Sequence, residues 1–206
     1  MTRSKGVRNA GYAQRRGEII ARIRERLKQP DATRASWREL AAAAGVSLST
    51  LSHYFGRRDD VVRAVMENDL AGAVEPLATM ARPTGRFEQS VADAVEHLAD
   101  GFRHGGLGQT FATGLIEGLL HSTLGPVFLA TALEPSLRAA EARLQHHIDA
   151  GEMRGGDPRG AAIMLIAPVV VSFLHQQQLG GEKVRALEID RFLESHAEAF
   201  VRAWRS

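Results

Sequence analysis

The chain has 206 residues, no cysteine and a formal net charge of only +2. Its length fits one large domain or a small domain joined to a larger one, and a hydrophobic content of 44% argues for a packed core and against disorder. The missing cysteine excludes disulfides and thiolate metal sites. The basic start, Met1-Thr2-Arg3-Ser4-Lys5-Gly6, has no apolar run behind it, so a signal peptide is not expected. The most apolar run, 161–174, spans about 14 residues, which suits a buried core helix better than a bilayer crossing. A soluble, cytoplasmic protein is expected.

The small net charge hides an asymmetry. Residues 1–70 hold 14 Lys/Arg against 8 Asp/Glu, whereas 71–206 hold 12 against 16. The first 16 residues carry Arg3, Lys5, Arg8, Arg15 and Arg16 and no acid. A basic front on an acidic rear suits a polyanion at one end only. A solvated basic tail is the ordinary alternative.

Apolar residues recur at spacings of three and four throughout, so an all-α fold of about nine helices is expected. The first helix is read over 14–28, with Ile19, Ile20, Ile23 and Leu27 on one face, stopped by Pro30-Asp31. Ser36 opens the second, with Glu39 three residues on as a capping box. Gly45 ends it where the sharp turn needs a positive φ. Ser47 caps a short third helix in which Leu51, Tyr54 and Phe55 turn inward. A fourth helix runs from about residue 58 until Pro76 kinks or ends it, and the domain boundary falls within it: 1–69 in front, 70–206 behind.

Five helical stretches follow: 86–104, 109–123, 126–150 with a break near Pro135, 158–179 with Pro168 as a kink, and 187–204. Pro158 stands where a first-turn proline is tolerated, and Gly180-Gly181 closes that helix.

Two short helices about a glycine turn, over 36–55, form the geometry that inserts one helix into the DNA major groove. Such a helix shows small or polar groups outward. Ser47, Leu48, Ser49, Thr50, Ser52 and His53 meet that need for base edges, thymine methyls and phosphates. Tyr54, Arg57 and Arg58 are read as phosphate contacts, the arginines at the start of a helix, and Ser36, Trp37 and Arg38 as a further DNA-facing group. An ordinary helical hairpin is the alternative.

The block from Leu40-Ala41-Ala42-Ala43-Ala44-Gly45-Val46-Ser47 to Leu48-Ser49-Thr50-Leu51-Ser52-His53-Tyr54-Phe55 resembles the DNA-binding signature of the TetR (TetR/AcrR-like) family of bacterial transcriptional regulators. That signature runs Ile-Ala-x-x-Ala-Gly-Val-Ser-x-Gly-Thr-Leu-Tyr-x-Tyr-Phe, then a Lys at the next helix, where this chain has Arg58. The detailed likeness covers about 14–66. Leu48 and Ser49 replace a Lys-Gly pair, Ser52 a Tyr, and Arg57 a capping Ser or Asn. These departures fall on the DNA-facing side and bear on which operator is read. By analogy with minor-groove arms, Arg3, Lys5 and Arg8 reach an adjacent groove.

The resemblance implies a homodimer that binds a palindromic operator and whose rear domain takes a small apolar or amphipathic effector, most often a repressor that releases DNA on binding it. For the effector, polar groups among apolar ones are sought. Glu117 and His121 share a helix face, Phe102, Phe111, Leu115, Phe128, Met164 and Phe173 are candidate walls, and Gln176 reaches in after an apolar run. Each has core packing as its alternative. Gly114 and Gly118 either let helices pack closely or leave room for a ligand. Candidate dimer residues are Val170, Leu174, Phe192, His196, Phe200 and Trp204 on the last two long helices.

An enzyme is not expected. No His-Glu-x-x-His, Gly-x-Ser-x-Gly or phosphate-cradling loop occurs, and the adjacent His146 and His147 point to different helix faces. No catalytic residue, metal or cofactor is assigned. Two other readings stay open: a helical protein-interaction module, and a DNA-binding dimer without an effector.

Overall fold

In the computed structural model the described residues are 5–29 and 35–206, with side chains from residue 11 onward. Pro30, Asp31 and Arg3 lie outside them, as do the side chains of Lys5 and Arg8. Apart from one isolated bridge between Met153 and Arg205, the described residues are helical or in turns and loops.

The helices are α1 (Lys5–Leu27), α2 (Trp37–Ala44), α3 (Leu48–Phe55), α4 (Arg58–Gly72), α5 (Val74–Ala81), α6 (Phe87–Arg103) and α7 (Leu107–Leu120). Then come α8 (Gly125–Phe128), α9 (Glu134–Asp149), α10 (Pro158–Phe173), the single turn α11 (Gly181–Val184) and α12 (Ile189–Trp204).

Several boundaries differ from the sequence reading for physical reasons. α1 starts nine residues before residue 14, in a stretch with no apolar stripe to signal a helix but no proline to break one. Pro76 does not end α4. It sits in the first turn of α5, where a missing N–H costs nothing. The break near Pro135 is a π turn, Leu129–Leu133, that widens the helix just before the ring would meet the preceding carbonyls. A second π turn, Leu174–Gln178, lengthens α10. The resulting helix Pro158–Gln178 is long and apolar enough to cross a membrane by length and composition, and 44% of that window is buried inside the molecule.

The chain divides into two compact units, Met1–Ala71 with Thr113–Phe128, and Gly72–Ala112 with Leu129–Ser206. The division falls inside α7, so a segment that the sequence places behind residue 70 groups with the N-terminal helices. Thr113 Oγ1 donates to the carbonyl of Leu27 at 3.1 Å, and Thr123 Oγ1 to Asp59 at 2.7 Å. Gly114 and Gly118 serve close packing: a Cβ on Gly114 would stand 2.1 Å from the Phe128 ring, and one on Gly118 3.2 Å from the Gly125 Cα.

In the first unit α1 packs on α2, and Ile19, Ile20, Ile23 and Leu27 of α1 are buried together with Leu40, Leu51, Val61 and Val62. The capping box forms as expected. Ser36 Oγ accepts from the Glu39 N–H at 3.3 Å, and the Glu39 carboxylate accepts from the Ser36 N–H at 2.7 Å. The backbone bond from Ser36, then the Ser36 hydroxyl, hold the Glu39 carboxyl below the usual carboxylate range. A depressed folded-state value stabilises above the ordinary range and is lost as pH falls through it. Acidification from neutral to about pH 3 is therefore expected to speed amide exchange at Ser36 and Glu39 before the core opens, and Glu39→Gln to flatten that response. Pair exchange independent of pH, once corrected for intrinsic rates, would contradict this.

In the second unit α9 packs on α5 and α10, and α6 on α12. The Arg143 guanidinium is 1% exposed and lies among backbone carbonyls rather than beside a carboxylate. Gln176 pins the loop after α10: its amide nitrogen donates to the carbonyl of Arg185 and its oxygen accepts from the Leu187 N–H.

Candidate DNA-reading surface

The turn between α2 and α3 follows from three local residues. Gly45 adopts φ 65°, which costs glycine nothing, and its N–H closes onto the last carbonyls of α2. Arg22 reaches across from α1 to donate to the carbonyl of Ala44 at 3.0 Å. Ser47 then opens α3 in extended backbone, its hydroxyl accepting from the Thr50 N–H at 3.1 Å.

With both ends fixed, α3 can face only one way. Leu51 and Phe55 are buried beneath it. Leu48, Ser49, Ser52 and His53 are exposed, Leu48 by 40%. Ser47 is exposed, and Thr50 is half-buried with its hydroxyl 2.8 Å from that of Ser47. The outward row joins the apolar Leu48 to the small or polar Ser49, Ser52 and His53, without Lys, Arg, Asp or Glu, a character that suits contact with base edges. In α2, Ser36 and Arg38 are exposed and Trp37 is half-buried.

Two features differ from the sequence reading. Arg57 lacks the side-chain acceptor of a usual cap, and Asp60 replaces it: its carboxylate accepts from the Arg57 N–H at 3.1 Å. The side chain of Arg57 stays exposed. Arg58 turns inward. Its guanidinium donates through both terminal nitrogens to the Glu117 carboxylate, at 2.8 and 2.6 Å, and through Nε to the carbonyl of Ala35 at 2.9 Å. The hydrogen bonds to Glu117 come first among the influences that raise the Arg58 pKa. The guanidinium expected at a phosphate is here engaged in an internal ion pair, and Glu117, expected at an effector, is half of it. His121 stands 3.6 Å from the same carboxylate.

Sequence reasoning missed Tyr12. Its ring stacks on Tyr54 with centroids 4.6 Å apart, and His53 meets both rings edge-on. Arg16 lies over the Phe55 ring, 5.0 Å from its centroid. The i, i+4 spacing of Tyr12 and Arg16 was the available signal.

The expected effector residues do not form one group. Phe102, Phe111 and Phe173 are buried in the second unit, where Phe102 meets both of the others, stacked on Phe173 with centroids 4.9 Å apart. Leu115, Glu117, His121 and Phe128 belong to the first unit. Met164 is 58% exposed and lines a surface hollow with Trp204, Arg154, Gly155 and Ala203. The amide of Gln176 is committed to its loop. A groove of about 710 Å³ between α6 and α12 carries Asp93, Glu96, Asp100, Asp190 and Glu194, and none of the expected residues lines it.

Of the expected dimer residues, Val170 and Phe200 are buried within their own unit, and Leu174, Phe192, His196 and Trp204 are half-buried. The exposed row on α10 is instead Ile163, Met164, Ala167 and Val171.

No protein-family model and no curated protein matches the chain. Solved structures do. A TetR transcription regulator from Haloarcula marismortui matches with TM-score 0.71 and 15% identity, over 94% of this chain and 100% of that one. The transcriptional regulator FadR from Bacillus subtilis, in complex with stearoyl-CoA, matches with TM-score 0.70 and 17% identity, over 89% and 96%. SmeT, the repressor of the Stenotrophomonas maltophilia multidrug efflux pump SmeDEF, matches with TM-score 0.64 and 17% identity, over 93% and 90%. The chain thus has the all-α fold of TetR-type transcriptional regulators along nearly its whole length.

Proposed function

We propose that this chain is a cytoplasmic transcriptional regulator of the TetR family, a homodimer that binds a palindromic DNA operator and releases it when a small apolar or amphipathic molecule occupies the C-terminal unit. The observation that carries this reading is the outward row Leu48, Ser49, Ser52 and His53 on a short helix capped at Ser47 and anchored by Leu51 and Phe55. A catalytic centre is no part of it. The uncovered apolar row Ile163, Met164, Ala167 and Val171 supports pairing with a second copy, because burying it removes apolar area from water. Two-fold pairing sets two α3 helices to read half-sites about 34 Å apart. The stearoyl-CoA held by FadR supports an amphipathic effector for a helical unit of this kind.

The packing of Phe102 on Phe111 and Phe173 favours a second reading, in which the C-terminal unit only dimerises and no effector exists. Selection of bound duplexes from a random pool tests the first part. The expected result is an inverted repeat with half-sites one helical turn apart. Recovery of no preferred duplex, or of one asymmetric site, overturns it. Titration of that complex with acyl-CoA and other amphipaths, at fixed salt, then separates the two readings. Tight ligand binding without loss of operator affinity leaves only the second, since a ligand shifts an equilibrium only by its differential affinity.

A further inference from the structure

The geometry points to Tyr12 as a DNA-backbone contact that completes the reading surface from α1. The inference rests on the proposed DNA-binding role. A recognition helix meets base edges through its N-terminal residues, which leaves its C-terminal end beside the phosphate strand. Tyr54 and His53 stand at that end of α3, and Tyr12 is stacked on Tyr54 with an interplanar angle of 22°. Tyr12 is 42% exposed, so part of its ring is open to a ligand from solvent. The stack on Tyr54 occupies one ring face, and the hydroxyl is the polar group that Tyr12 offers a ligand. A neutral phenol hydroxyl beside a duplex donates to a phosphate oxygen.

The same face of α1 carries cations. Arg15 and Arg16 follow Tyr12 at three and four residues, within one turn of helix. Arg16 is held over Phe55, the residue after Tyr54, so that this part of α1 is tied to the end of α3 twice. Arg15 pairs with Glu18 at 2.8 Å at an exposed site, a contact weak enough to yield to a phosphate. Phosphate contacts position and do not specify, so Tyr12 raises affinity for every duplex alike.

The test uses the full chain and the duplex recovered by selection, with an unrelated duplex beside it. Tyr12→Phe keeps the stack and removes the hydroxyl. It is expected to weaken both duplexes about threefold to tenfold, the range of one hydrogen bond, with their ratio unchanged. Tyr12→Ala, which also frees Tyr54, is expected to weaken them further, and Arg15→Gln to reduce the salt slope by about one phosphate. Circular dichroism confirms that each variant is folded. If the unaltered chain binds duplex while Tyr12→Phe binds as tightly, the hydroxyl contact is wrong and the DNA-binding role stands. A change in the ratio of the two duplexes also overturns it, because Tyr12 would then be reading bases. If the unaltered chain binds no duplex, both the regulator reading and this contact fail.

Discussion

Arg143→Met is expected to lower the melting temperature by roughly 10 °C while leaving the helical content of the surviving folded protein unchanged. The residue looks replaceable, since a guanidinium in a core loses its hydration and an apolar substitute of similar volume often does as well. Burial indeed pushes the Arg143 pKa down, offset in part by Asp93. The partners decide the matter. Nε donates to the carbonyl of Met80 at 2.6 Å, Nη2 to the carbonyl of Thr79 at 2.8 Å, and Nη1 to the carbonyl of Ser90 at 2.9 Å. Two of these carbonyls close the C-terminal end of α5, where a helix presents partial negative charge. Unlike a side-chain partner, they cannot be mutated away. Methionine takes a charged donor from all three, although Thr79 still accepts from the Arg82 N–H at 3.3 Å and Ser90 lies within α6, and each hydrogen bond lost to a charged group costs about 1–3 kcal/mol. The summed loss of about 3–5 kcal/mol is a large share of the stability of an ordinary domain. Arg143→Lys is expected to recover only part of it, because three donors on one nitrogen cannot span three carbonyls on two helices. Thermal melts of the three proteins decide this, and a methionine variant within about 2 °C of the parent would show that water or a backbone shift satisfies the carbonyls.

Arg143 also marks the limit of what the sequence discloses. The capped helix pair α2–α3 was legible because its determinants are local. Ser36 with Glu39, Gly45, and Ser47 with Thr50 each act within four residues, and the inward set Leu40, Leu51 and Phe55 recurs with the helical period. Direct partners distant in sequence were not legible. Arg58 carries the residue type of a phosphate ligand, and nothing near it announces a carboxylate 59 positions away. Glu117 and His121 looked like polar groups in an apolar pocket because an internal ion pair and a ligand site draw on the same residue types. The aromatic residues failed for a related reason. Apolar periodicity says that Phe102, Phe111 and Phe173 turn inward, and it carries no information on whether they line a space or fill it. Tyr12 escaped because its neighbours lack an apolar stripe, so the helix bearing it was not seen to begin at Lys5. Gly114 and Gly118 became interpretable only with Phe128 and Gly125 in place beside them.

Breaking the Arg58–Glu117 pair is expected to weaken operator binding from either side, with a marked asymmetry in stability. The Glu117 side chain is 2% exposed and that of Arg58 21%. Arg58→Met strands a buried carboxylate and is expected to cost about 3–5 kcal/mol. Glu117→Gln keeps an acceptor and leaves a guanidinium that can turn to water, so about 1–2 kcal/mol is expected. Arg58→Met combined with Glu117→Leu removes both charges and is expected to be more stable than Arg58→Met alone, the signature of a coupled pair in a double-mutant cycle. Operator binding separates two roles for Arg58. As a phosphate ligand, its loss would reduce the salt slope by about 0.9, and Glu117→Gln would free it to bind more tightly. As an anchor, it holds the start of α4 to the carbonyl of Ala35, just before α2, and to Glu117, fixing the corner that follows α3 after only Gly56 and Arg57. Both single variants then lose affinity at an unchanged salt slope, because what is lost is the aim of α3 and not a contact to DNA. All three donating nitrogens of Arg58 are engaged inside the unit, which makes the second pattern the expected one. A gain in affinity on Glu117→Gln would return Arg58 to the DNA.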